Sequence, residues 1–108
     1  MTQQSALKQD GKIIVHVDPD IADLIPGFLE NRHKDIKTMG EALAQGDFDA
    51  IRLLGHSMKG AGGSYGFDAI TDIGKSLEQA AIAKNFAEIQ SLVKELSAYL
   101  DRVEVVYE

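Results

Sequence analysis

The sequence contains no cysteine and no tryptophan, and only 6% of its residues are aromatic. Without cysteine, the chain has no disulfide framework, no thiol nucleophile and no zinc site with cysteine ligands, which fits a reducing compartment. Hydrophobic residues still make up 44% of the 108 residues, so a core must consist mostly of Leu, Ile, Val, Ala and Met. This composition favours one small domain of packed helices.

Basic charge and long apolar runs are also scarce. The formal net charge is −6 and the eleven Lys and Arg residues are scattered, so no basic stripe is available to bind a phosphate backbone. No apolar run approaches the roughly 18 residues that a membrane span requires, and residues 1–10 lack the pattern of a secretory signal. We therefore expect a soluble cytoplasmic protein that binds neither nucleic acid nor membrane.

Both ends of the chain differ from its middle. Residues 1–12 are polar without periodicity and are predicted to be a loose leader. Residues 13–17, IIVHV, are mostly β-branched, and the C-terminal VEVVYE has the same bias. The two ends would either pair as a ribbon or pack over the rest of the protein. We divide the chain into a partly extended arm, 1–17, and a helical bundle, 18–108.

Helical periodicity begins at Asp18, which is suited to cap a helix with Pro19 at its first position. This helix is short, because Pro26 interrupts or restarts it. Four amphipathic segments follow, with start signals at Pro26, Asp47, Asp68 and Asn85 and stop signals at Gly46, Gly66 and Lys84. Short connections make neighbouring helices antiparallel. The predicted fold is all-α, an antiparallel up-down-up-down four-helix bundle with a short extra N-terminal helix.

The stretch LLGHSMKGAGGSYGF, residues 53–67, places a histidine within an apolar helical pattern. The apolar positions of this helix are Phe48, Ile51, Leu54, Met58 and Gly62. At about 100° per residue, His56 lies roughly 150° away from their centre and is expected to face solvent. Arg52 and Lys59 flank it with positive charge, and Leu53 adds an apolar contact at the edge.

Three glycines follow this histidine within the helix, although each interior glycine costs about 1 kcal/mol relative to alanine. Gly62 falls on the inward face, where it would let a neighbouring helix approach closely. Gly60 and Gly63 fall on the outward face beside His56, where internal packing gives no benefit. We interpret the absence of side chains at these two positions as clearance, meaning space that lets a second macromolecule reach the imidazole.

An accessible imidazole beside a cation suits phosphoryl transfer. A neutral ring nitrogen is a good nucleophile toward phosphorus, and most of an exposed histidine is neutral at cytoplasmic pH. The ammonium group of Lys59 would stabilise the oxygens of a phosphoryl group during transfer or after attachment.

The sequence HSMKGAGGSYG resembles the signature of the histidine phosphotransfer (HPt) domain family through His56, Lys59, Gly60 and Gly66. The resemblance extends over about residues 18–104 and includes Ser64, a frequent small polar choice. It implies a four-helix bundle in which His56 takes a phosphoryl group from a receiver-domain aspartate and hands it to another receiver, with Lys59 beside that group. It also implies a phosphocarrier, not an enzyme, without a nucleotide site of its own. No metal or other cofactor is implied either, because the receiver brings the magnesium ion.

The implied partners are response-regulator receiver domains, including one carried by a hybrid histidine kinase. We expect the docking contacts to come from Arg52, Leu53, Gly60, Gly63, Ser64 and Gly66. Two positions depart from the family pattern. Met58 replaces the usual Leu, a conservative core change, whereas Tyr65 replaces a smaller residue and would alter the partner-facing surface. Residues 13–17 lie outside the family pattern and receive no role.

Two alternatives to the receiver-to-receiver carrier remain open. One is the chemotaxis-kinase type of domain, phosphorylated directly by an ATP-binding kinase domain, and the other is a helical interaction module without phosphorylation. A hydrolase is disfavoured, because no second catalytic group is evident. A metal site is also disfavoured, since His16, His33 and His56 come from three separate segments without i, i+4 pairing.

Overall fold

A computed structural model describes residues 11–108 of the protein. Four α-helices dominate it: α1 Ile25–Ala44, α2 Phe48–Tyr65, α3 Asp68–Ile82 and α4 Phe86–Arg102. Strands β1 Ile13–Val17 and β2 Val103–Tyr107 and a 3-10 helix, Pro19–Leu24, complete the described chain. The four predicted helices are confirmed, but a purely α class omits the strand pair. Most of the predicted leader, residues 1–10, lies outside the described residues.

Side-chain caps fix where two of the helices begin. The carboxylate of Asp47 accepts a hydrogen bond from the amide of Ala50 at 3.1 Å at the start of α2. The side chain of Asn85 does the same for the amide of Glu88 at 3.1 Å at the start of α4. Each cap satisfies a backbone donor that the first helical turn leaves without a partner. Both predicted start signals are confirmed.

The prediction that Asp68 caps α3 is wrong by one residue. Phe67 occupies the cap position, and no side chain caps this helix end. Phe67 is completely buried and its amide donates to the carbonyl of Gly62 at 2.8 Å. The turn between α2 and α3 is therefore held by this buried ring and backbone bond. Asp68 lies in the first turn, where its negative charge interacts favourably with the positive end of the helix dipole.

The segment after β1 follows the predicted signals with a different geometry. The carboxylate of Asp18 accepts a hydrogen bond from the amide of Asp20 at 2.9 Å, and Pro19 begins the helix. This segment is a 3-10 helix, and α1 starts directly after it at Ile25. Pro26 therefore lies in the first turn of α1, where its missing N–H costs no internal hydrogen bond.

The core lies between the four helices. Its fully buried side chains are Ile25, Met39, Ile51, Met58, Phe67, Ile70, Leu77, Ile89 and Leu96. Leu54, predicted to be a core position, is only half-buried, whereas Gly55 is buried. The reason is the closeness of α3, because an added Cβ at Gly55 would lie 2.7 Å from the backbone nitrogen of Glu78.

The two ends of the chain pair with each other as a parallel two-stranded ribbon, in register at Val15 and Val105. Val17 is buried and anchors β1 against the bundle. The imidazole Nδ1 of His16 is hydrogen-bonded to the carboxylate of Glu108 across the ribbon. Of the two arrangements that the sequence left open, pairing is the one observed.

Two glycines in different conformations give a matched stability test. Gly66 ends α2 at φ +88°, a left-handed conformation that disfavours any side chain. Gly40 lies inside α1, and an added Cβ there would meet nothing within 4 Å. We expect Gly66→Ala to lower the free energy of unfolding by about 1–2 kcal/mol and Gly40→Ala to raise it by up to about 1 kcal/mol.

Urea unfolding followed by circular dichroism measures both changes. A stabilising effect of Gly66→Ala would contradict the assignment of this glycine as the left-handed end of α2.

Candidate functional site

His56 projects from α2 into solvent. Its side chain is 65% exposed, as the helical pattern predicted. An added Cβ at Gly60, one turn further along the same face, would meet nothing within 4 Å. At Gly63 it would meet only the Thr71 hydroxyl, at an ordinary contact distance of 3.6 Å. The face of α2 that carries His56 therefore has no side chain, and open space, at Gly60 and Gly63.

Glu78 of α3 joins the two residues that the sequence singled out. One of its carboxylate oxygens, Oε2, lies 2.9 Å from Nδ1 of His56. The other, Oε1, accepts a hydrogen bond from Nζ of Lys59, also at 2.9 Å. The side chain of Glu78 is partly exposed, at 17%. The site thus consists of an exposed imidazole and an ammonium group that share one carboxylate.

The charge state of Glu78 determines which ring nitrogen of His56 carries the proton. The hydrogen bonds from Lys59 and then from His56 hold the pKa of the Glu78 carboxyl below its ordinary value. An ionised carboxylate only accepts hydrogen bonds, so the ring nitrogen that faces it must carry the proton. Nδ1 is therefore the protonated nitrogen, and Nε2 has its lone pair directed away from Glu78.

Comparison with known proteins supports the resemblance that the sequence suggested. The family model described as Hpt domain matches residues 23–105. The chain belongs to the Hpt domain family. Hpt domains carry phosphoryl groups in phosphorelays, and the family assignment gives this protein a role in histidine phosphotransfer. Searches among curated proteins and solved structures returned no significant match.

The match places the Hpt domain within the described chain. It begins inside the 3-10 helix and includes all four α-helices. β1 precedes it, in agreement with the prediction that residues 13–17 lie outside the family pattern. β1 is nevertheless part of the folded unit, since it pairs with β2.

The other predicted docking residues of this Hpt domain differ in how open they are. Leu53 is 54% exposed. The guanidinium group of Arg52 donates two hydrogen bonds to Asp49, at 3.0 and 2.8 Å. The hydroxyl of Ser64 donates to the carbonyl of Gly60 at 3.2 Å. Arg52 and Ser64 therefore already have partners within their own helix.

Tyr65 belongs to the packing between α1 and α2. Its ring centroid lies 4.7 Å from that of Phe28, and the guanidinium group of Arg32 lies 4.8 Å from the Phe28 ring. Phe28, Arg32 and Tyr65 line an open cavity of about 440 Å³ beside the 3-10 helix. The larger ring at position 65 thus fills space against α1.

The described residues contain no group of three or more His, Cys, Asp or Glu side chains arranged to hold a metal ion. His16 lies on the terminal ribbon, His33 on an exposed part of α1 and His56 on α2. The same part of the chain has no helix long and apolar enough to cross a membrane.

Nothing in the sequence singled out Glu78 as a site residue, because it lies 22 residues from His56. One local signal was present. Glu78 follows Gly74 by four residues, so the two lie on the same side of α3. A glycine on a helix face that contacts another helix marks the point of closest approach, and a carboxylate one turn away lies within reach of the neighbouring helix.

Proposed function

We propose that this protein is a cytoplasmic phosphorelay carrier. His56 accepts a phosphoryl group from the aspartyl phosphate of one receiver domain and passes it to the aspartate of another. The observation that supports this most directly is the shared carboxylate, which lies 2.9 Å from both His56 Nδ1 and Lys59 Nζ. It leaves Nε2 as an exposed nucleophile with a cation beside it.

In the proposed transfer, the lone pair of His56 Nε2 attacks the phosphorus atom. The N–P bond forms as the bond between phosphorus and the aspartyl oxygen breaks, and the aspartate leaves as a carboxylate. The ring keeps its proton on Nδ1, so positive charge develops on the imidazole. The ionised Glu78 stabilises that charge from 2.9 Å. Transfer to a second receiver is the same reaction in reverse.

Lys59 supplies positive charge for the phosphoryl oxygens. An ammonium group has three N–H donors, and in the described structure one of them is directed at Glu78. Its side chain is 38% exposed, so the remaining donors can reach a group on the solvent side of His56. The proposal assigns no metal to this chain, since the receiver supplies the magnesium ion, and no nucleotide, since the phosphoryl group comes from the receiver aspartate.

We propose that receivers dock on the exposed face of α2 around His56. Leu53 provides an apolar contact there, and Gly60 and Gly63 let the partner backbone approach. Arg52, Ser64 and Gly66 complete this surface as initially expected, with Arg52 oriented by its bonds to Asp49. The four helices are proposed to run antiparallel in up-down-up-down order.

A direct test uses receivers charged with radiolabelled acetyl phosphate. The purified protein is expected to acquire acid-labile, alkali-stable phosphate from a charged receiver and to lose it to a second, uncharged receiver. Label that appears only with ATP and a histidine kinase would overturn the relay proposal in favour of the chemotaxis-kinase type. The absence of label under both conditions would favour a non-phosphorylated interaction module.

Clearance around His56 gives a separate prediction. Gly60→Gln is expected to slow transfer from a charged receiver several-fold, because the new side chain lies one turn from the imidazole and obstructs its approach. Gly40→Gln on α1 is the matched control, since both glycines are helical and open to solvent. Rapid-quench kinetics measures the rates. Equal rates for the two variants would refute the clearance interpretation.

A further inference from the structure

We propose that Gly55 and Gly74 are positioning residues of the phosphoryl-acceptor site and act through the backbones of Glu78 and Lys59. The proposal rests on the proposed function for its consequence in transfer. It assigns these two glycines to the geometry of the site as well as to helix packing.

Gly55 lies against the backbone of the residue that supplies the carboxylate. A Cβ added at Gly55 would stand 2.7 Å from the backbone nitrogen of Glu78 and 2.8 Å from the carbonyl oxygen of Gly74. Both contacts are shorter than real Cβ atoms make, and neither atom belongs to a flexible side chain. An alanine here must therefore move the backbone of α3 away from α2 at Glu78 itself.

Gly74 makes the reciprocal contact from the other helix. Its added Cβ would stand 2.6 Å from the backbone nitrogen of Lys59 and 2.8 Å from the carbonyl oxygen of Gly55. The two glycines thus face each other, and each lies against a residue that takes part in the shared hydrogen bonds. The helices touch backbone to backbone at the site.

The short distance between the two helix backbones allows the Glu78 carboxylate to contact both His56 and Lys59. Its carboxylate makes both 2.9 Å bonds across the gap between α2 and α3, and hydrogen bonds weaken steeply when such distances grow. Separating the two backbones pulls Oε2 away from Nδ1 of His56. An imidazole without that acceptor prefers the tautomer protonated at Nε2, which blocks the nucleophile.

Gly62 provides a control in the same helix pair, closer to the turn that connects α2 and α3. Its added Cβ would stand 2.6 Å from the backbone nitrogen of Thr71 and 2.9 Å from the carbonyl oxygen of Phe67. The clash is as severe as at Gly74, but it falls near the turn between α2 and α3. The added Cβ would also stand 2.6 Å from the Thr71 hydroxyl, which donates to the backbone carbonyl of Lys59 at 3.1 Å. Gly62→Ala should therefore cost similar stability without displacing the α3 backbone at Glu78.

The experiment compares Gly74→Ala and Gly62→Ala in the full chain, both carrying Gly40→Ala to offset lost stability. Two-dimensional NMR of ¹⁵N-labelled imidazole at alkaline pH reports which ring nitrogen of His56 is protonated. We expect the Nδ1–H tautomer in the parent and in Gly62→Ala, and a shift toward Nε2–H in Gly74→Ala. Transfer from a charged receiver should fall about tenfold in Gly74→Ala and less than about twofold in Gly62→Ala.

A double variant distinguishes an effect of Gly74 on the position of Glu78 from a general weakening of the packing between α2 and α3. Adding Gly74→Ala to Glu78→Gln should lower the transfer rate by less than about twofold further, because the carboxylate whose two hydrogen bonds depend on the close helix crossing is already removed. Full additivity, or equal tautomer shifts in the two glycine variants, would overturn the proposal. So would loss of the fold in Gly74→Ala, since the glycine would then be needed for folding in general.

The tautomer measurement requires no phosphoryl transfer. If the wild-type protein takes no label from any receiver, the proposed function fails while the NMR comparison still decides the positioning role.

Discussion

His56→Gln is expected to abolish phosphoryl transfer from a charged receiver without changing the fold. The amide nitrogen of glutamine has its lone pair delocalised into the carbonyl group and is not a nucleophile at neutral pH. The side chain it replaces is 65% exposed and lies outside the core. Surface substitutions of this kind usually change the free energy of unfolding by less than about 0.5 kcal/mol.

The expected loss is on the order of 10³-fold or more in the rate of labelling, as for removal of a nucleophile in an enzyme. Radiolabel from acetyl-phosphate-charged receiver is followed in wild type and in His56→Gln, and circular dichroism checks the helical content. The chain itself offers two matched controls. His16→Gln and His33→Gln replace the other histidines, which are also exposed, and both are expected to label like wild type.

Label that persists in His56→Gln and disappears in either control variant would move the acceptor to another histidine. In that case the arrangement of Glu78 and Lys59 around His56 would need a different explanation. Label in all three variants would indicate attachment to a residue other than histidine or to more than one histidine.

The helices could be predicted because their signals are local. Apolar residues three or four apart identified the inward faces, and Asp47 and Asn85 identified two starts through their own cap bonds. His56 was placed correctly on the outward face by the same periodicity. Each of these predictions needs only residues within one or two helical turns.

The features that the sequence did not reveal depend on contacts between elements. Asp68 has suitable cap chemistry, but the burial of Phe67 moved the start of α3 by one residue. Leu54 was assigned to the apolar stripe, but Gly55 is the buried residue, because α3 packs directly against its backbone. Glu78 was not identified as a site residue for the same reason, since its partners lie on another helix.

Glu78→Gln is expected to slow phosphoryl transfer about tenfold, the scale of one charge-assisted hydrogen bond at a partly exposed group. The neutral amide stabilises developing positive charge on the imidazole less well than the carboxylate. It also cannot hold the His56 ring and the Lys59 ammonium group through two equivalent oxygens. Glu95→Gln, an exposed change of the same chemistry on α4, is expected to transfer like wild type.

The same substitution has a defined pH dependence in stability. Hydrogen bonds from Lys59 and His56 lower the pKa of the Glu78 carboxyl in the folded state from its ordinary value of 4.5. The unfolded state therefore binds this proton more readily, and the stabilisation is fully present above pH 4.5. It is lost as the pH falls through the lowered pKa. Wild type should thus exceed Glu78→Gln in stability at neutral pH, and the difference should shrink in acid.

Urea unfolding at neutral pH, at pH 4.5 and at more acidic values measures this difference. Glu95→Gln is the control, and its difference from wild type should not show the same acid-dependent loss. A difference for Glu78→Gln that grows as the pH falls would contradict an ionised, hydrogen-bonded carboxylate. In that case folding would raise the pKa of the Glu78 carboxyl instead of lowering it. A protonated Glu78 does not require a proton on Nδ1 of His56, so the preference for Nε2 as the nucleophile would lose its physical basis.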